Sequence, residues 1–188
     1  MKQAKTLTDR ELKKVLDYVA VHRYAARNRA MLLITYLAGL RVSEVAMLKC
    51  SDVIALDGTI KTEIQLSPQQ TKGGHARTVF VNDRLKKELT AYVKTLKRKQ
   101  PELALFSTQK REAFSRNTLC QHFYWLYRHA GIDGASSHSG RRTFITTLAS
   151  KGVSVRVLAS LAGHKSIATT QAYIDVNDDM KRATVQLI

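Results

Sequence analysis

The spacing of the apolar residues changes along the chain, and this change limits the folds open to it. On both sides of residues 51–81 apolar side chains recur at helical spacing, as they do from Leu12 to Val19. Residues 51–81 instead contain β-rich runs around two turn signals, Asp57-Gly58 and Gly73-Gly74. The pattern predicts an α+β fold that is mainly α-helical and carries a small three-stranded antiparallel sheet.

Local signals predict where several helices begin and end. Thr8 and Glu11 form a T-x-x-E capping box at the start of the first helix, and Gly39 suits the end of the second. Asn82 is placed to cap a helix with a basic outer face. No repeat, linker or low-complexity segment interrupts the chain, so we expect residues 1–188 to form one domain. A last helix is predicted within residues 175–188.

The chain is strongly basic, and this favours a polyanionic partner. Its 188 residues contain 31 Lys and Arg against 15 Asp and Glu, a net charge of +16. A domain with this charge most simply binds nucleic acid. An acidic membrane surface is the alternative, but the sequence contains no obvious basic amphipathic helix with exposed aromatic residues. We therefore favour nucleic acid.

The cysteines and the apolar runs favour a cytoplasmic protein. The two cysteines, Cys50 and Cys120, lie far apart, which gives no disulfide framework and fits a reducing compartment. The N-terminal residues lack the apolar core of a signal peptide. The longest apolar run, residues 31–40, is too short to span a bilayer. We expect a soluble, cytoplasmic protein without a membrane partner.

The histidine, cysteine and acidic residues do not predict a metal site. Cys120, His122 and His129 match no zinc-ligand spacing, and neither HExxH nor a CxxC pair occurs. The chain has too few acidic residues for a two-metal nuclease, and Asp178-Asp179 is better explained as charge at a helix start. It has no Walker A sequence and no GxGxxG after a strand. We expect no metal, no cofactor and no small-molecule substrate.

Residues 138–173 hold the side chains best suited to chemistry on a phosphate. In chain order these are His138, Arg141, Arg142, His164 and Tyr173. His138 and Arg141 are three residues apart and share one face of a helix. Arginines bind two oxygens at once, and several fixed cations stabilise the charge of a phosphoryl transition state. Metal-free work on a phosphodiester also needs a nucleophile and a proton donor, which Tyr173 and Lys72 can supply.

Two earlier basic residues have simpler explanations as well. Arg41 follows the end of the second helix and is equally well explained as a surface arginine that pairs with Glu44. Lys72 lies at the tip of the second predicted hairpin, where a lysine is usually only solvated. Because His75 and Arg77 flank it, the tip can also reach across a nucleic-acid backbone. Residue types alone leave both pairs of explanations open.

Five short sequences, taken together, carry a family resemblance. GLRVSEV, TKGG, HSGRR, LAGH and TTQAY occur in this order over nearly the whole chain. Each is weakly specific alone, but the ordered set resembles the catalytic domain of the tyrosine recombinase (phage integrase) family. The resemblance implies a DNA breaking-rejoining fold and a site-specific recombinase that works without metal or ATP.

The resemblance implies a role for the arginines and for the tyrosine. Arg41 and Arg141 would be the two arginines that hold the transition state, and Glu44 would brace Arg41 in a supporting role. Tyr173 would attack phosphorus and form a 3′-phosphotyrosyl link with DNA. Because the family often has histidine where this chain has Arg142, a register that uses Arg142 in place of Arg141 stays open.

The remaining roles concern proton transfer and oxygen binding. Lys72 would be the hairpin lysine that donates a proton to the leaving 5′ oxygen. His138 would assist proton transfer to or from the nucleophile, and His164 would hold a non-bridging oxygen. All three roles follow from the resemblance and not from spacing.

The resemblance also implies partners. We expect double-stranded DNA, a synaptic homotetramer on that DNA, and a location at the bacterial nucleoid. The tail, residues 175–188, resembles the segment that docks on a neighbouring subunit, and packing on its own domain is equally expected. The N-terminal core-binding domain usual in the family is absent from these 188 residues, so we expect weak, salt-sensitive DNA binding.

Three other functions compete with recombination. A noncatalytic DNA-binding module explains the charge but gives no reason to combine Arg41, Lys72, Arg141 and Tyr173. A type IB topoisomerase shares the chemistry and would relax supercoiled DNA as a monomer. A metal-dependent nuclease would lose its activity in the presence of a chelator.

Overall fold

The computed structural model describes residues 3–110, 112–174, 182, 185 and 186. Over these residues the chain is mainly helical with a small antiparallel sheet, which confirms the predicted fold class. The helices are α1 (Asp9–Ala20), α2 (Ala25–Ala38), α3 (Val42–Ala46), α4 (Cys50–Val53), α5 (Asp83–Lys94), α6 (Arg116–His129), α7 (Ser139–Ser150), α8 (Val155–Ala162) and α9 (Ile167–Gln171), and the strands are β1 (Glu63–Leu66) and β2 (Arg77–Phe80). The tail helix predicted within 175–188 lies outside the described residues, apart from three isolated positions, and stays a prediction.

Within the described part of the chain the sheet has two strands, so the prediction of three was wrong in this detail. β1 and β2 pair antiparallel, with Leu66 opposite Arg77. The Asp57-Gly58 turn forms, but a single isolated bridge, between Ile54 and Ile60, closes it. The reason is that α4 ends directly before Ile54, so the residues ahead of the turn are helical and no strand length is left there.

The predicted capping residues were right at the helices that surround the core. The Thr8 side chain accepts the N–H of Glu11, and the Glu11 carboxylate accepts the N–H of Thr8, which completes the capping box of α1. Asn82 accepts the N–H of Leu85 at the start of α5. Gly39 follows α2 with a φ of 65°. These caps orient the amphipathic faces of α1 and α5 toward α2.

Helix α2 lies at the centre of the fold and packs against α1, α5 and α7. Several of its apolar side chains, including Met31, Leu33 and Ile34, are fully buried. Helix α7 approaches it closely because Gly140 has no side chain: a Cβ there would lie 2.2 Å from the Thr35 Oγ1. This close contact brings the start of α7, which carries two arginines, into the interior beside the end of α2.

The N-terminal segment, residues 3–7, is tied to the C-terminal half of the chain. Leu7 is buried, and its N–H donates to the Thr143 Oγ1 at 2.8 Å. The Gln3 amide donates to the carbonyl of Ala172 at 3.4 Å. The segment therefore crosses α7 and reaches the residue before Tyr173.

The contact between Gly140 and Thr35 can be tested by adding one methyl group. We expect Gly140→Ala to lower the free energy of unfolding by about 1–3 kcal/mol, because overpacking outweighs the better helix propensity of alanine. Urea denaturation followed by circular dichroism measures this change. Adding Thr35→Ala should restore at least half of the loss, since it removes the clashing oxygen. A Gly140→Ala protein as stable as the wild type would show that the helices can separate freely.

Candidate active site

Arg41 lies in the short connection between α2 and α3. The preceding Leu40 is fully buried, which fixes the backbone at this point. The backbone N–H of Arg41 donates to the Glu44 Oε2 at 2.8 Å, and its guanidinium donates to the Glu44 Oε1 at 2.9 Å. The Arg41 side chain keeps 19% of its surface exposed. Glu44 therefore holds the Arg41 guanidinium in place, while part of the Arg41 side chain stays exposed to solvent.

The Glu44 carboxylate is completely buried and binds two arginines. Arg77, the first residue of β2, donates to the Glu44 Oε2 at 2.6 Å and to the carbonyl of Leu161 at 2.9 Å. Burial raises the pKa of Glu44, but the hydrogen bond and charge of Arg77, followed by those of Arg41, outweigh it, so the pKa is lowered. The carboxylate is ionised at neutral pH and links α3, β2 and α8.

Arg141 is buried without a carboxylate partner among the described residues. Its guanidinium donates to the carbonyls of Gly39 at 2.6 Å and Ala162 at 2.5 Å, which follow α2 and end α8. Helix C-termini carry partial negative charge that suits a cation. Burial, and then the charge of Arg41, lower the pKa of Arg141 to about 9, so it stays protonated at neutral pH.

His164 lies between Arg141 and the helix that leads to the tyrosine. The Arg141 guanidinium donates to the His164 Nε2 at 2.9 Å, so the proton of the neutral ring is assigned to Nδ1, which lies 2.8 Å from the buried Thr170 Oγ1. Burial, then the charges of Arg141, Arg41 and Arg77, lower the pKa of His164 to about 4. The imidazole is therefore neutral at neutral pH.

Tyr173 lies two residues after the end of α9 and beside His164. Its ring centroid is 5.7 Å from that of His164, with an angle of 22° between the planes. The guanidinium carbon of Arg142 lies 5.3 Å from the centre of the same ring. Arg141, and not Arg142, contacts His164, so the geometry favours the register built on Arg141. Side chains from α7 and from the connection between α8 and α9 thus meet around one tyrosine.

His138 and Lys72 lie at the exposed edge of this group. His138 precedes α7 and is exposed, and desolvation, followed by the charges of Arg141, Arg41 and Lys72, lowers the pKa of its imidazole. Lys72 is exposed in the connection between β1 and β2. Among the described residues it makes no hydrogen bond to another predicted site residue. It lies near enough to His138 for its positive charge to contribute to the lowered pKa of that imidazole.

A cleft of about 250 Å³ opens beside these residues. It is lined by Arg41, Thr71, Gly73, His75, Ala76, Arg77, Gly163, His164 and Lys165. The lining carries three arginine or lysine side chains and no carboxylate, because Glu44 is covered by its two arginines. A cleft with this charge suits an anion with several oxygens, such as a phosphodiester.

Two further properties of the described residues bear on their function. They contain no group of three or more His, Cys, Asp or Glu side chains that could hold a metal ion. None of the described helices combines the length and the apolar character needed to cross a bilayer.

Comparison with known proteins assigns the chain to a family. The profile described as "Phage integrase family" matches residues 5–180. The chain belongs to this family. The tyrosine recombinase XerA of Pyrococcus furiosus is 32% identical over 173 residues, which cover 92% of this chain and 57% of that protein. The predicted resemblance is confirmed.

Solved structures agree with the assignment to the integrase family. The crystal structure of XerA recombinase aligns with a TM-score of 0.78 and 27% identity, and covers 100% of this chain and 66% of that one. The Tn1549 transposon integrase, in complex with a circular intermediate DNA, aligns with a TM-score of 0.76 at 18% identity, over 100% of this chain and 67% of that one. The second likeness concerns the fold alone. The chain spans a little under 60% of the length of the XerA relative.

The sequence prediction missed two residues that the structure places in this site, Arg77 and Thr170, and gave a third, Arg142, no role beyond the alternative register. Arg77 was treated only as a neighbour of Lys72, although it shares the Glu44 carboxylate with Arg41. Thr170 orients the His164 ring, and Arg142 contacts the Tyr173 ring. The signal for Thr170 was its place in TTQAY, three residues before Tyr173. No local signal marks Arg77, because its partners come from other elements.

The buried carboxylate can be tested by neutralising it. We expect Glu44→Gln to lower the free energy of unfolding by about 3–5 kcal/mol, because two cations would lose their shared counter-charge inside the protein. Urea denaturation at pH 7 measures this loss. The matched control is Asp17→Asn, which breaks the exposed pair with Lys13 and should cost less than about 1 kcal/mol. Equal costs for the two variants would contradict the importance of burial.

Proposed function

We propose that this chain is the catalytic domain of a site-specific DNA recombinase. It would cut and rejoin double-stranded DNA through a covalent 3′-phosphotyrosine at Tyr173. The observation that carries the proposal is the contact chain from Arg141 through His164 to Tyr173, next to the braced Arg41. The names of the relatives, tyrosine recombinases, support the same reaction.

The arginines would bind the scissile phosphate. The open side of Arg41 and the donors of Arg141 would hold its non-bridging oxygens, on which charge accumulates in the transition state. Braced and buried guanidiniums need little rearrangement, so the site would be preorganised. The negative phosphate would also offset the cations that help to keep His164 neutral, and would favour a proton on its Nε2, which would then donate to an oxygen in place of accepting from Arg141.

Proton transfer would be divided between the two ends of the reaction. The phenol of Tyr173 loses its proton when its oxygen attacks phosphorus, and His138 would accept that proton. Desolvation, followed by nearby positive charges, lowers the pKa of His138, so its ring is free of a second proton at neutral pH. The leaving 5′ oxygen gains a proton, which Lys72 would donate from its flexible connection. Closing of this connection on bound DNA would bring Lys72 into reach.

The covalent intermediate would explain why no energy source is needed. Attack exchanges one phosphodiester bond for a phosphotyrosyl bond of the same type, and the 5′ hydroxyl is released. A 5′ hydroxyl from a second DNA strand can then attack the phosphotyrosine, which restores the DNA backbone and returns the tyrosine. Recombination would follow when two such exchanges occur in one assembly.

The net charge of +16 would supply most of the DNA affinity through contacts with phosphates. The structure of the Tn1549 integrase was solved in complex with DNA. We propose that the present chain also binds DNA. Assembly of four copies on DNA belongs to the same proposal. Because the XerA relative is longer, DNA contacts outside the aligned region would add to affinity in such proteins.

The proposal can be tested without knowing the DNA target. We expect the protein, in EDTA, to form a denaturant-stable adduct with members of a library of nicked duplexes with random arms. The nick releases a short product and traps the intermediate. Tyr173→Phe should form no adduct, and sequencing of the captured DNA should reveal a preferred site.

The controls separate the competing functions. Tyr36→Phe removes a phenol outside the site and should leave the yield within about twofold of the wild type. Salt-sensitive binding without an adduct would indicate a noncatalytic DNA-binding module. An adduct without sequence preference, with relaxation of plasmid by the monomer, would indicate a topoisomerase. Cleavage that EDTA abolishes would indicate a metal-dependent nuclease.

A further inference from the structure

Arg142 contacts the tyrosine and not the cluster around Arg141. Its guanidinium carbon lies 5.3 Å from the centre of the Tyr173 ring, and 8% of its surface is exposed. In the described part of the chain, the guanidinium of Arg142 and the imidazole of His164 thus both lie beside the Tyr173 ring. A cation close to an aromatic ring is attracted to it, more strongly when water is excluded.

Arg142 is itself held by the N-terminal segment, residues 3–7. Its Nε donates to the Thr6 Oγ1 at 3.1 Å. The next residue of the segment, Leu7, donates to the Thr143 Oγ1 at 2.8 Å. The Gln3 amide reaches the carbonyl of Ala172, next to Tyr173, at 3.4 Å. The segment therefore contacts the backbone beside Tyr173 directly, and it reaches the Tyr173 ring through Arg142.

We propose that Arg142 is a positioning residue for Tyr173, and that residues 3–7 keep Arg142 in place through Thr6. The inference rests on the proposed function, in which Tyr173 is the nucleophile. It adds a connection between the N-terminal segment and the attacking phenol that the family roles do not include.

The local backbone explains why such a residue is needed. Tyr173 follows α9, which has five residues and is too short to be stable by itself. Attack on phosphorus requires the phenol oxygen within about 3–3.5 Å of its target, and a misplacement of about 1 Å can cost a hundredfold in rate. Side-chain contacts must therefore supply the restraint that the short helix lacks. The charge of Arg142 would also stabilise the negative charge that develops on the phenol oxygen.

Arg128 provides a matched control. Its guanidinium carbon lies 5.9 Å and 5.8 Å from the rings of Tyr124 and Trp125. It is exposed on α6 and has no contact with Tyr173 in the described part of the chain. Removing it takes away the same charge and the same kind of contact.

The kinetic experiment measures the first-order rate of adduct formation at saturating protein, on a duplex recovered from the library. We expect Arg142→Gln to slow this rate about 10- to 100-fold. Arg142→Lys keeps the charge and should lose less. Thr6→Val should slow the rate about threefold, as expected for one lost hydrogen bond. Arg128→Gln should stay within about twofold, because saturation removes effects on binding.

Two further measurements separate positioning from general destabilisation. Adding Thr6→Val to Arg142→Gln should cause no additional loss of rate, because Thr6 acts through Arg142. Without DNA, the ¹³C NMR signals of the Tyr173 ring, assigned with Tyr173→Phe, should shift in Arg142→Gln and in Thr6→Val but not in Arg128→Gln. The milder Thr6→Val keeps the test valid if Arg142→Gln does not fold.

The outcomes distinguish this inference from the proposed function. A wild type that forms no adduct overturns the proposed function, and the NMR experiment still decides whether Arg142 and Thr6 hold the ring. An adduct rate within twofold of the wild type in a folded Arg142→Gln protein overturns the positioning role. Unchanged Tyr173 signals in both variants overturn it as well.

Discussion

The site depends on one carboxylate that has no contact with solvent. Several cations gather at the cleft and repel one another, and Glu44 offsets that repulsion for two of them, Arg41 and Arg77. Because its two oxygens are bound from different elements, the carboxylate also fixes α3 against β2. A buried ion pair of this kind adds little net stability compared with apolar packing, but removing one partner is costly. Its contribution is therefore to geometry.

Arg141 obtains its stabilisation from the backbone. The carbonyls that follow α2 and end α8 accept hydrogen bonds from its guanidinium, so helix ends hold the cation and no carboxylate among the described residues neutralises it. Desolvation, followed by the charges of Arg141 and Arg41, lowers the pKa of both His164 and His138 and keeps them neutral. The cleft thus carries an excess of positive charge, which the negative charge of an anion such as a phosphodiester would offset.

Much of this arrangement could be predicted from the sequence, and the rest depended on packing. Capping signals at Thr8 and Asn82 correctly predicted the starts of α1 and α5. The order of five short motifs correctly predicted the integrase family. The third strand was predicted wrongly because turn chemistry at Asp57-Gly58 does not show that the preceding residues are helical. Arg77 was missed as a part of the site, and Arg142 was named without its contact to Tyr173, because the partners of both lie in other elements and only the folded chain brings them together.

The most direct measurement of the central idea is the chemical identity of the attachment point. Trypsin should release residues 166–181 of a trapped protein–DNA adduct as one peptide, in which Tyr173 is the single tyrosine. After nuclease digestion, we predict that fragmentation in a mass spectrometer places the remaining nucleotide on the Tyr173 phenol. A nucleotide attached to Ser166 or Thr170, or to any other peptide, would contradict the convergence of the arginines and the tyrosine on one phosphorus.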